Sequence, residues 1–248
     1  MALARAEKVA QLKQDIHRME GFRPAPNPLM NTVLGPLEEA FPSGAFPLGV
    51  LHEFLVDREH RKSSMAASVG FIAAMVSSIL SGNGVMLWVS AERKVFPPSL
   101  IGFGVKPDQV IFVDIKKARN VLWATEEALK CSAVAVVVAE VGGLDLTISR
   151  RLQLSAEQSQ ATGFLIRNDA HPGITSSATR WRISPTSSIQ IDSLPGVGHP
   201  RWIVELLKLR GGMAGKWTIQ YRHGRFEEVN VDELSIATSL PQTSRRVG

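Results

Sequence analysis

The period of hydrophobic and polar positions changes along this chain, and the changes divide it into parts. From Ala2 to Glu20 apolar residues fall at Leu3, Val9, Leu12, Ile16 and Met19, one stripe that predicts an amphipathic helix ending at Gly21. Pro24, Pro26 and Pro28 then forbid helix. Residues 1–22 are thus expected to form a helical arm set off by a Pro-rich linker over 23–45, docked either on its own domain or on a partner. From Phe46 short apolar runs alternate with helical lengths. Val50 to Leu55 predicts a buried strand, Asp57 to Lys62 a charged turn and Ser63 to Leu80 a core helix.

Val85 to Val89 and Val110 to Val113 read as further strands, with a helix from Ala118 to Lys130. Ala133 to Val138 (AVAVVV) has no polar alternation, as in a parallel strand covered on both faces. A helix from Leu146 to Gln160 and a strand from Gly163 to Arg167 complete this α/β alternation, whose functional crevice belongs at the carboxyl ends of the strands. Beyond Ala178 the pattern turns antiparallel, with β segments at Arg180 to Ile183, Arg201 to Arg210 and Lys216 to Val229. Trp217, Ile219 and Tyr221 alternate with Lys216, Thr218, Gln220 and Arg222, so one face is core and the other wet and basic. His223-Gly224 marks a hairpin turn. Residues 46–230 therefore form the folded domain. Residues 231–248 form a tail in which Leu234, Ile236 and Leu240 are the apolar points able to bind a partner.

Composition narrows the function classes. The apolar run Met65 to Leu80 is shorter than the roughly 20 residues a membrane span needs. The N-terminus carries no secretory h-region, and the single cysteine, Cys131, excludes an internal disulfide, so a cytoplasmic protein is expected. Cys131 lies between a helix and a core strand, where burial is expected. Six histidines without ligand spacing offer no metal site, and no catalytic nucleophile signature is present. The net charge of +5 suits an anionic partner without requiring one.

The chemistry that remains lies behind the first strand. The phosphate-loop pattern G-x-x-x-x-G-K-[ST] falls on Val56, Arg61, Lys62 and Ser63, so the lysine and hydroxyl are kept and both glycines are lost. Side chains there either force positive φ on residues that resist it, at about 1–3 kcal/mol, or fill the phosphate volume. Asp57 and Glu59 add negative charge. The expectation is a solvated loop, with no ATP, no Mg²⁺ and no enzymatic activity.

Four segments carry a family resemblance: FPLGVLHEFLVDREHRKSS (Phe46 to Ser64), Ser90 to Glu92, AVAVVVAEVGGL (Ala133 to Leu144) and LLKLRGGMAGKWTIQYRHGRF (Leu206 to Phe226). Together they resemble the ImuA family, damage-inducible mutagenesis accessory proteins of bacteria, which is similar to the RecA core and more distantly to SulA. The resemblance implies a RecA-like core with a mainly parallel sheet and C-terminal antiparallel strands. It also implies a non-catalytic adaptor role in SOS-induced translesion synthesis with ImuB and a DnaE-type polymerase, and contact with RecA. Leu51 to Leu55, Glu92 and Val134 to Glu140 match, in order, the RecA-type phosphate-loop strand, the water-activating glutamate and the apolar strand with a terminal acid. Without a phosphate site Glu92 and Glu140 are relic acids, Glu92 being a remnant of the fold or a salt-bridge partner. The DNA loops of RecA-type cores correspond to Gly142 to Arg151 and Asn168 to Ala178. That makes Arg150, Arg151, Arg180 and Arg182 the candidate contacts for weak, salt-sensitive DNA binding. The alternatives are an ATP-dependent RecA-like DNA-binding ATPase and a SulA-like cell-division inhibitor.

Overall fold

The computed structural model describes Lys8 and residues 33–229, apart from 42–43, 83, 93, 170–171 and 189–197. Nine strands form one sheet: β1 (Leu51–Leu55), β2 (Val85–Ser90), β3 (Val110–Asp114), β4 (Val134–Val141), β5 (Thr162–Arg167), β6 (Thr179–Pro185), β7 (Arg201–Leu209), β8 (Gly215–Arg222) and β9 (Arg225–Glu228). Their order is β3-β2-β4-β5-β1-β6-β7-β8-β9. The first six in that order pair in parallel and the remainder antiparallel. This is the mainly parallel sheet with C-terminal antiparallel strands expected of a RecA-like core. The first strand, β1, lies inside the sheet, so the connections that follow it run to both sides and leave a crevice at the strand ends.

Two layers cover the parallel half. Helix α1 (Arg61–Ile79) is apolar nearly all round, and residues 67–76 are all buried, as such a helix requires. It is long and apolar enough to cross a membrane by composition, yet 67% of its apolar window lies inside the fold, so it serves here as a core helix. Phe71, Ile72, Met75 and Val76 pack with Phe54, Phe164 and Trp181, each buried side chain contributing about 1.5–3 kcal/mol. Helices α2 (Val121–Leu129) and α3 (Leu146–Ser159) cover the other face around Leu51, Val137 and Leu165. Asp145 caps α3, its carboxylate accepting the N–H of Ile148 at 2.7 Å.

Several boundaries differ from expectation. The folded core starts before Phe46: Val33, Leu34, Leu37 and Phe41 are buried in it, so the second half of the expected linker is packed structure. Gly35, at φ +51°, makes that entry possible, because a Cβ there would meet the Phe226 carbonyl oxygen at 2.1 Å. α1 starts at Arg61, two residues early, taking Arg61 and Lys62 into the helix. The expected helix from Ala118 begins as a 3₁₀ turn and becomes α-helical at Val121. Cys131 is exposed: the turn between α2 and β4 carries it to the surface. The hairpin at His223-Gly224 is present, both residues having positive φ. The helical arm and the tail residues Leu234, Ile236 and Leu240 lie outside the described residues.

Candidate functional site

The segment Val56 to His60 joins β1 to α1 where a phosphate loop would run, and four of its N–H donors are taken, that of Val56 by the Arg167 carbonyl at 3.0 Å. The Asp57 carboxylate accepts the N–H of Glu59 at 2.8 Å and that of His60 at 3.5 Å. The Asp57 N–H donates to the Ser64 hydroxyl at 3.1 Å, which in turn donates to the Ile183 carbonyl at 3.1 Å. The Asp57 carboxylate thus closes the turn just ahead of α1, holding the N–H groups of the two residues before the helix rather than those of its first turn. Of the other pattern residues, Ser63 is exposed and donates to the His60 carbonyl at 3.0 Å, Lys62 is exposed, and Val56 is buried in the core. Neither Val56 nor Arg61 has positive φ, so the strain expected of side chains at glycine positions is avoided by a different backbone path.

Beside this segment a cleft of about 240 Å³ opens at the carboxyl ends of β1, β2, β4 and β5. Val56, Met65 and Ile166 form apolar lining, with Arg61, Lys94, Glu92 and Glu140 as its charged groups. Glu92 is 74% exposed and paired with Lys94 at 2.9 Å. That hydrogen bond and the charges of Lys94 and Arg61 hold its carboxyl below the usual range. Burial pushes the Glu140 carboxyl up, opposed by the Trp88 indole N–H donating to it at 3.2 Å. The two acids therefore differ in environment: one is a surface ion-pair partner, the other a half-buried acid braced by a tryptophan.

The four arginines are dispersed among separate duties. Arg150 and Arg151 sit on α3 rather than in a loop, because the helix starts at Leu146. Arg151 is paired with Glu126 of α2, and Arg150 is exposed. Arg182 lies 3.6 Å from Glu205. Arg180 belongs to a buried network that the sequence reading missed. At its centre is Glu53, fully buried in β1, which receives Arg180 at 3.0 Å and Arg167 at 3.2 Å on one carboxylate oxygen. The other oxygen accepts the hydroxyls of Thr175 and Ser177, the latter at 2.6 Å. Arg167 also donates to the Leu144 carbonyl at 2.9 Å and to Asp169 at 2.8 Å. Asp169 accepts the Gly143 N–H at 2.7 Å, and Lys208 donates to the carbonyls of Thr175 and Ser177, each at 3.0 Å. The network pins both connections that leave β4 and β5 at the crevice. Its signal in the sequence was one charge in each of two apolar runs, Glu53 in VLHEFL and Arg167 in GFLIR.

No family model matches the chain. Protein ImuA from two strains of Caulobacter vibrioides is 32% identical to it over 213 residues, 82% of this chain and 87% of the relative. The chain belongs to the ImuA family. The ImuA match spans far more of the chain than the β1 to α1 connection alone. Among the described residues no cluster of histidine, cysteine, aspartate or glutamate has the makings of a metal site.

Proposed function

We propose that this protein is a non-catalytic accessory factor of damage-induced mutagenesis: a RecA-like adaptor that assembles with ImuB and, through it, a DnaE-type polymerase during SOS-induced error-prone synthesis past DNA lesions. Kinship with ImuA over four-fifths of the chain carries the reading. The β1 to α1 connection supports its non-catalytic part. A triphosphate would have to displace Asp57 from the N–H groups of Glu59 and His60, just ahead of α1; the pattern's own hydroxyl, Ser63, donates to the His60 carbonyl, and the Ser64 hydroxyl is spent between Asp57 and Ile183. These residues do not fit a nucleotide with Mg²⁺. Glu92, bound to Lys94, has no γ-phosphate to serve. A fold that keeps its core without this ligand still offers its surfaces to partners, ImuB first and RecA as a further contact, in the cytoplasm.

The test is co-purification with ImuB, followed by size-exclusion chromatography, using the full chain and a form lacking residues 231–248. A stable complex that requires the tail is expected, and would place Leu234, Ile236 and Leu240 at the contact. Retention after truncation moves the contact to the folded domain. Failure of the full chain to bind ImuB overturns the adaptor reading.

A further inference from the structure

Among the described residues, the antiparallel half of the sheet is covered on one face only. Trp181, Trp202, Ile219, Tyr221 and Phe226 point into the core beneath α1. The residues that alternate with them point the other way, the side on which α2 and α3 cover the parallel strands. There Arg182, Glu205 and Lys216 form one cross-strand row over β6, β7 and β8, Glu205 lying 3.6 Å from the arginine and 3.3 Å from the lysine. Toward the sheet edge Arg222 and Arg225 stand directly opposite one another across the β8–β9 pair, with Glu227 reaching Arg225 at 3.1 Å. Glu205 thus serves two cations and Glu227 pairs with one of two, so positive charge is left over in both groups. The side chains of Arg182, Lys216 and Arg225 remain 43%, 64% and 58% exposed.

Like charges placed directly opposite across a strand pair are destabilising, so a surplus held in that way suits an external counter-charge. At the inner end Lys208 shows the same crowding: burial pulls its ammonium below the usual range, Glu53 opposes that, and Arg180 and Arg210 add to it. We infer that this outer face of β6 to β9 is a docking surface for the phosphate backbone of nucleic acid, bound without regard to base sequence. Strands about 4.8 Å apart spread these cations over roughly 14 Å, a length along which duplex DNA presents about eight phosphates. A protein partner is the poorer fit, because interface centres are built on aromatic and apolar anchors and this half of the sheet directs its aromatics to the other face. For the same reason stacking on unpaired bases contributes nothing here, and the duplex, with its higher charge density, is bound at least as tightly as a single strand. The surface does not rest on the adaptor reading, and either can fail alone.

The experiment is a fluorescence-anisotropy titration of the full chain with a labelled duplex, the same single strand, and poly-glutamate, across a salt series. The duplex is expected to bind. Arg182→Gln with Lys216→Gln should weaken it by tenfold or more and lower the salt slope by about two. A second pair, Arg222→Gln with Arg225→Gln, should weaken it independently, with circular dichroism verifying the fold of both. Lys106→Glu with Lys117→Glu, on exposed positions flanking β3 at the far edge, should leave duplex affinity within twofold. Three results each overturn the inference: equal loss in the far-edge pair, a single strand preferred tenfold over duplex, or poly-glutamate bound as tightly as DNA. Absence of duplex binding overturns it outright.

Discussion

At the scale of single residues, two buried polar groups in β1 carry more consequence than any exposed one. His52 lies fully inside, stacked on Phe46, with its Nε2–H donating to the Pro47 carbonyl at 3.0 Å. Its Nδ1 accepts from the Thr179 hydroxyl at 2.8 Å, and that hydroxyl accepts from the Trp181 indole at 2.6 Å. This chain of donors is complete only for the neutral ring. Burial lowers the His52 pKa from 6.5 to about 3, the Pro47 hydrogen bond opposing it. The unfolded chain therefore binds a proton below pH 6.5 that the folded one refuses, so this contribution is full above 6.5 and is lost as pH falls from there toward 3. The slope is about 1.4 kcal/mol per pH unit. Urea unfolding at pH 7.5 and 4.5 should show the stability gap between native protein and His52→Gln shrinking by roughly 2.7 kcal/mol, two units of that slope. A gap that stays constant disproves the assignment. Glu53 offers the second test. Removing its charge leaves Arg167, 1% exposed, without its buried partner, and Glu53→Gln should cost about 3 kcal/mol or more in chemical denaturation. Pairing it with Arg167→Met should recover part of that loss, since an apolar pair replaces a broken ionic one.

At the scale of elements, the connection from β1 to α1 decides whether this crevice can hold a nucleotide. A phosphate loop keeps its N–H groups unpaired and its backbone open, and glycines are what permit that. Here the helix begins directly after a turn closed by Asp57, and the next hydroxyl ties the turn to β6. A fluorescent ATP analogue with Mg²⁺ is therefore expected to show no saturable binding, and Lys62→Ala to change nothing. Saturable binding that Lys62→Ala abolishes contradicts this account and restores the ATPase alternative. The loop from β5 to β6 is governed from below instead, by Glu53 through the hydroxyls of Thr175 and Ser177, so its shape depends on the ionic core rather than on a bound phosphate.

At the scale of the whole molecule, the two halves of one continuous sheet have different surfaces. The parallel half is covered on both faces and ends in a crevice whose polar groups are engaged with one another, Glu92 with Lys94 and Glu140 with Trp88. The antiparallel half is covered by α1 on one face and presents a surplus of cations on the other. The DNA titration tests the open sheet face, and the ImuB experiment tests whether the partner is reached through the tail or through the folded domain.

The elements themselves were legible in the chain, because an apolar run of six residues or a helix apolar on all sides permits few solutions. AVAVVV could only be a covered strand, and the alternation around Trp217 and Tyr221 announced a one-sided sheet. The degenerate loop was equally visible, since a missing glycine is a local fact. Tertiary structure alone decided how the charges pair. Glu53 meets Arg167 and Arg180 across 114 and 127 positions of sequence, and Asp57 turns back onto the turn ahead of its helix. A carboxylate's partners are set by the order in which strands lie side by side, and no local periodicity records that β1 sits between β5 and β6. The arginines could be counted from the sequence. Whether each one binds a buried acid, braces a helix or faces outward was settled only when the sheet brought distant strands together.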